Sequence, residues 1–165
     1  MSDEVRDPAD LAHWDAVEEA TELLHEEEYH RALSFLRDVI KGDPKNPYAY
    51  YFLGIALYEV GELEAARDAY RATTVMAPKH LGARIHLSHT LRELGDAKGA
   101  IKEGAMALSL APQDADALHA VGLAYLSRGD DAAARKYLEA FLEARPEFEA
   151  SVEVRGILAG MGSGS

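Results

Sequence analysis

Apolar residues recur along this chain at the spacing of an amphipathic helix. Leu53, Leu57 and Val60 share one stripe, and Leu63, Ala66, Ala69, Tyr70 and Thr73 share a second. Gly61 stands between the two stripes and Pro78 follows the second. Glycine readily takes a positive φ and suits a tight turn between helices. Proline cannot continue a helix and so separates one pair of helices from the next. The pattern predicts a helix, a turn and a second helix, with about 14 residues in each helix and no strand.

The pattern returns every 34 residues. Pro44, Pro78, Pro112 and Pro146 keep that period, and so do Ala32, Ala66, Ala100 and Ala134. Gly61, Gly95 and Gly129 keep it too, with Glu27 in the corresponding place of the first unit. Alanine at its recurring position lets two helices approach closely. The expected units are 13–46, 47–80, 81–114 and 115–148, preceded by an extension, 1–12, in which the first helix begins. Stacked repeats leave an open end, so a capping helix over 149–161 is expected, with Phe148, Val152, Ile157 and Leu158 covering the last unit. Residues 162–165, Gly-Ser-Gly-Ser, are expected to form a flexible tail.

A 34-residue helical pair of this kind resembles the tetratricopeptide repeat, whose signature is W-x2-L-G-x2-Y, then A-x3-F, then P. The second unit matches it best: Tyr50, Leu53, Gly54 and Leu57, then Ala66 and Tyr70, then Pro78. The fourth follows with Leu118, Val121, Gly122, Tyr125, Ala134, Leu138 and Pro146. The third departs twice, with Ser88 for the first glycine and Gly104 for the large residue. The first, with Ala16, Glu19, Ala20, Leu23, Ala32, Leu36 and Pro44, is the most divergent, as suits a terminal unit with one unstacked side. The resemblance implies an all-α fold, a right-handed superhelical solenoid of antiparallel helix pairs.

In that family the first helix of each unit lines a concave groove through its second, fifth, ninth and twelfth positions. Carried over by register, the implied groove takes Trp14 and Val17 from the first unit and Tyr48, Tyr51, Ile55 and Tyr58 from the second. It takes Ile85, His89 and Arg92 from the third, and His119 and Leu123 from the fourth. A groove this apolar and aromatic suits an extended peptide or the apolar face of an amphipathic helix, because rigid rings bury much area at low entropy cost. The competing reading is packing between helices, most of all at Tyr58. Some members of the family clamp a chaperone's C-terminal carboxylates with Lys, Asn and Arg. The corresponding positions here hold Val17, Thr21, Phe52, Gly82 and His86, so a chaperone-tail adaptor is not expected.

Composition narrows the rest. With 48% hydrophobic and 28% charged residues the chain is in the globular range. A net charge of −12 argues against nucleic acid, whose phosphates require clustered Lys and Arg. Residues 1–46 alone carry −8, and Glu18, Glu19, Glu22, Glu26, Glu27 and Glu28 read as a solvated helix face. No apolar run approaches the ~18–20 residues of a membrane span and no signal-peptide core is present, so a cytoplasmic protein without membrane insertion is expected. The absence of cysteine excludes disulfides, thiol catalysis and thiolate metal sites.

His86 and His89, three apart, and His119 on the adjacent groove helix are weak metal candidates, with no carboxylate or cysteine spaced to complete a set. No metal and no cofactor are therefore expected. Nor is an enzyme, because no G-x-S-x-G, P-loop, G-x-G-x-x-G or H-E-x-x-H motif is present. The expected function is a protein–protein interaction module that holds a peptide or helix of a partner. The alternative is a scaffold that forms homo-oligomers through its groove or its ends.

Overall fold

The computed structural model describes residues 7–144 and 146–162, which form ten helices and no strand. They are α1 (Pro8–Asp15), α2 (Glu18–His25), α3 (Tyr29–Gly42), α4 (Pro47–Glu59) and α5 (Leu63–Met76), then α6 (Leu81–Glu93), α7 (Ala97–Leu110), α8 (Ala115–Arg128), α9 (Asp131–Glu143) and α10 (Phe148–Gly162). The starts of α4, α6 and α8 are 34 residues apart, and so are those of α3, α5, α7 and α9. The chain is thus an all-α series of helix pairs of the solenoid class. It divides into two compact units, residues 1–83 and 84–165.

Each turn has a local cause. Gly61, Gly95 and Gly129 close the first helix of their pairs at φ 85°, 86° and 85°, in the left-handed region where a side chain is strained. Glu27 occupies the same place in the first pair at φ 60° and is the one non-glycine residue with positive φ among those described. A second column escaped the sequence reading: Asn46, His80 and Asp114 cap the helices that follow them. Asn46 Oδ1 accepts from the N–H groups of Tyr48 and Ala49, at 3.1 and 3.3 Å. His80 Nδ1 accepts from Ala83 N–H at 3.0 Å, and Asp114 Oδ1 from Ala117 N–H at 2.9 Å. Each satisfies a donor that a helix start leaves unpaired.

In the first unit α2 packs on α3, α3 on α4 and α4 on α5, while α1 touches α4. The first helix expected there is broken: α1 stops at Asp15 and α2 starts at Glu18, with Val17 between them at φ −111°, ψ −1°. Val17 and Ala20, both fully buried, anchor this segment in the core. Close approach of α4 and α5 depends on Gly54, where an added Cβ would lie 2.6 Å from Cε1 of the buried Tyr70 ring.

In the second unit α7 packs on α8, α8 on α9 and α9 on α10. The same small-against-large pairing recurs at Gly122, where a Cβ would fall 2.6 Å from Leu138 Cδ2. In the divergent third pair the sizes are redistributed. Ser88 replaces the glycine and Gly104 lies opposite it, so that a Cβ on Gly104 would meet Ser88 Oγ at 3.2 Å and Val121 Cγ2 at 2.7 Å. The buried Ser88 hydroxyl donates to the Ala100 carbonyl at 2.7 Å, which satisfies it without water.

Helix α10 lies on a cluster of Leu118, Leu123, Leu138, Phe141 and Val154, joined by Ile157 and Leu158. The expectation that Phe148 and Val152 also cover the last pair is corrected. They are 78% and 51% exposed, because the face of α10 turned inward carries Ser151 and Val154. Ser151 is tolerated there because its hydroxyl donates to the Glu147 carbonyl at 3.0 Å. Gly162, expected in the tail, closes α10 instead; 163–165 lie outside the described residues, as do 1–6 of the N-terminal extension.

Candidate protein-interaction surfaces

The first unit gathers a run of half-buried rings along α4. Trp14 of α1 meets Tyr48 edge-on, with centroids 5.5 Å apart, and Phe52 at 5.9 Å. Tyr51 follows, 5.2 Å from Phe52, 4.5 Å from the His80 ring and 6.2 Å from Tyr70. Such tilted and edge-on contacts suit the ring quadrupoles and hold each ring in place. Tyr48 is further fixed because its hydroxyl donates to Asp10 Oδ1 at 2.5 Å. Gly82 leaves room for Tyr51, whose hydroxyl would lie 2.7 Å from a Cβ at that position. Burial pushes the Tyr51 phenol above its ordinary range, so it stays neutral. Burial likewise lowers His80, consistent with an unprotonated Nδ1 that accepts the helix cap.

The second unit brings histidines together on α6 and α8. The rings of His89 and His119 are 5.7 Å apart, and His119 stacks on Phe141 of α9 at 4.9 Å and 26°. Burial first, then the charges of His119, Arg92 and His86, lowers His89 to about 3. Burial also lowers His119, with Arg92 adding to the effect and Glu153 and Asp116 opposing it. Both imidazoles are therefore neutral at pH 7. A separate recess of about 460 Å³ is lined by Pro112, Gln113, Leu118, Ala140, Glu143 and Ala144 and shares no residue with this cluster.

The residues assigned to a groove by register fall into two groups. Trp14, Tyr48, Tyr51, Ile55 and Tyr58 are half-buried in the first unit, as are His89, Arg92 and His119 in the second. Val17, Ile85 and Leu123 are buried instead. Val17 is withdrawn by the break between α1 and α2, and Leu123 belongs to the cluster under α10. The metal candidates His86, His89 and His119 do not converge with other donors: no group of three or more His, Asp or Glu is arranged to hold an ion among the described residues. No described helix is long and apolar enough to cross a membrane. Sequence reasoning named Phe52 only as a position of the chaperone clamp and missed His80; the two link the rings of the first unit. The signal for His80 was its place in the capping column.

Family models described as tetratricopeptide repeat match the chain over residues 23–80, 56–115 and 115–148. The chain is a tetratricopeptide-repeat protein. Among solved structures, a crystal structure of MamA is similar to this repeat protein at 25% identity with a TM-score of 0.72, covering 78% of this chain and 70% of that one. MamA from Desulfovibrio magneticus RS-1 gives 0.73 at 19% identity, over 79% of this chain and 73% of that one. A thermophilic TPR protein of Thermus thermophilus gives 0.77 at 20% identity, over 91% and 83%. No curated protein matches the repeat protein in sequence. Family and fold together make the chain a protein-interaction or scaffold module.

Proposed function

We propose that this repeat protein binds a peptide or short amphipathic helix of another protein on the aromatic face of α4. The observation that carries this reading is the run of Trp14, Tyr48, Phe52 and Tyr51. These rings touch one another and are packed firmly enough to be preorganised, yet each keeps part of its surface exposed. Rigid, half-exposed aromatic residues are the side chains that most often anchor an interface. Preorganised rings also lose little entropy when a partner docks.

Replacing Tyr51 with Ala tests the reading, provided that stability and binding are measured on the same variant. As an anchor, Tyr51 contributes about 1–3 kcal/mol, so a partner captured by the wild type is held roughly 5- to 150-fold more weakly by the variant. Capture of the same partners at unchanged affinity by folded Tyr51→Ala protein would move the binding surface elsewhere.

One observation favours the scaffold alternative. Phe148 and Val152 stand four residues apart on the outer side of α10, 78% and 51% exposed. Self-association through this end would make the mass in light scattering rise with concentration, and Phe148→Ser would abolish that rise. A concentration-independent monomer removes the alternative.

A further inference from the structure

Helix α10 keeps the register of the first helices that precede it. It packs on α9 as α8 packs on α7, and its Gly156 falls 34 residues after Gly122 and three such periods after Gly54. In those two earlier pairs the glycine is a notch that the second helix fills: Tyr70 of α5 closes on Gly54, and Leu138 of α9 closes on Gly122. A Cβ on Gly156 would have nothing within 4 Å. Phe148, Val152, Arg155 and Ala159, on the same side of α10, are exposed. Among the described residues, α10 is therefore a first helix whose partner face is uncovered.

The order of sizes along that face matches a second copy of itself. The large residues, Phe148 and Val152, stand in the N-terminal half and the small ones, Gly156 and Ala159, in the C-terminal half. Two such helices laid antiparallel about a two-fold axis set each large residue opposite a small one; a parallel pair sets large against large. The register is continuous with the interface inside each pair. Where Gly54 meets Tyr70, a step of three residues along α4 and four back along α5 sets Leu57 opposite Ala66, both buried. From Gly156 set against Val152 of a second copy, the same step sets Ala159 opposite that copy's Phe148. The two-fold axis repeats both contacts, giving four rungs.

We propose that α10 pairs antiparallel with α10 of a second copy, Val152 entering the notch at Gly156 and Phe148 lying on Ala159. The proposal deepens the scaffold reading, on which it rests, by fixing the contact and the form of the assembly. A two-fold contact uses the same patch on both copies, so it closes as a dimer and does not propagate. Helix α10 is about 22 Å long, and a single helix pair of that length buries less than the roughly 1,200 Å² at which stable complexes begin. The dimer is therefore reversible and forms only at high concentration. Arg155 lies at the edge of the face, where its stem covers apolar surface and its guanidinium stays in water.

Sedimentation equilibrium and light scattering on the full chain, from about 10 μM to about 1 mM, test the pair. The mass should rise and level off at twice that of one chain. Gly156→Leu should abolish the rise with helical circular dichroism unchanged, because the notch is empty in the single chain. Phe148→Ala should weaken dimerisation about tenfold or more. The register is read with cysteine, which the chain lacks. Phe148→Cys protein mixed with Ala159→Cys protein should form a disulfide between copies on mild oxidation. Neither variant should do so alone, because like positions would lie about 16 Å apart along the helix axes. A mass that stays at one chain overturns the proposal together with the scaffold reading. A mass that climbs past two chains, a rise indifferent to Gly156→Leu, or a mixture that cross-links no better than the single variants overturns the antiparallel pair and leaves the scaffold reading standing. None of these results touches the Tyr51 test of the α4 face.

Discussion

Replacing Gly54 with Ala should destabilise this protein, although the same change at an uncrowded helical glycine should stabilise it. The new Cβ would lie 2.6 Å from Cε1, 2.7 Å from Cδ1 and 3.0 Å from Cζ of Tyr70, well inside the ~3.5–4.0 Å of an ordinary carbon contact. Tyr70 is fully buried and packed beside Tyr51, so the ring has no room to retreat. Overpacking of this kind costs about 1–3 kcal/mol, and three close contacts on one ring place it at the upper end. Removing a glycine from a helix interior returns about 1 kcal/mol. The net loss is about 2 kcal/mol, or a fall in melting temperature of roughly 4–8 °C for a chain of this size. Gly156→Ala is the control, because its Cβ would have nothing within 4 Å, and it should gain about 0.5–1 kcal/mol. Urea denaturation followed by circular dichroism measures both. Combining Gly54→Ala with Tyr70→Leu should cost about 1 kcal/mol less than the two changes separately. A stabilising Gly54→Ala, or strict additivity with Tyr70→Leu, would refute the claim that the pair sets the helix spacing.

Three further outcomes are expected. His89 has its pKa lowered to about 3, so its stabilising neutrality is complete above the unfolded value of about 6.5 and is lost as pH falls through the interval between them. At pH 5 the loss attributable to His89 is about 2 kcal/mol, and the difference in denaturation midpoint between pH 7 and pH 5 should shrink in His89→Gln. Glu27→Gly should stabilise by about 0.5–1 kcal/mol by relieving the φ of 60°, as read by thermal melting. Glu103→Ala should cost about 3 kcal/mol or more in chemical denaturation, because it leaves Arg84 buried without its carboxylate, whereas a cost near zero would mean that water replaces the pair.

The periodic features of the fold were legible because each has a local cause. A glycine that must take positive φ, and a proline that cannot continue a helix, mark turns in any context, and the helices start at the 34-residue intervals that those residues announce. Depth was less legible. Register says which side of a helix a residue occupies, not what else lies on that side, and so it placed Val17 and Leu123 on a groove when they are buried. Phe148 and Val152 misled for a related reason. Hydrophobicity argued for burial, but the rotation of α10 about its axis is set by Val154, Ile157 and Leu158 against the last pair. The break at Ala16 and Val17 carries no glycine or proline and left no signal. The aromatic face was visible in outline as Tyr48, Tyr51 and Ile55. The empty notch at Gly156 was not, because whether a helix face is covered is a property of three-dimensional surroundings.

The exchange of sizes between Ser88 and Gly104 bears on how such a chain descends from copies of one ancestral unit. The pairs Gly54 with Tyr70 and Gly122 with Leu138 set a small residue on the first helix against a large one on the second, whereas Ser88 and Gly104 divide the space differently. Once copies have diverged in this way, their helices cease to be interchangeable parts. A recombinant carrying α6 with a partner such as α9 would set the Ser88 side chain against a bulky leucine, and one carrying α4 with α7 would set two glycines face to face across a void. Neither intermediate packs well. Each divergence of this kind therefore acts as a ratchet, holding the units in their present order and making later shuffling of single helices costly even though the outline of every unit is the same.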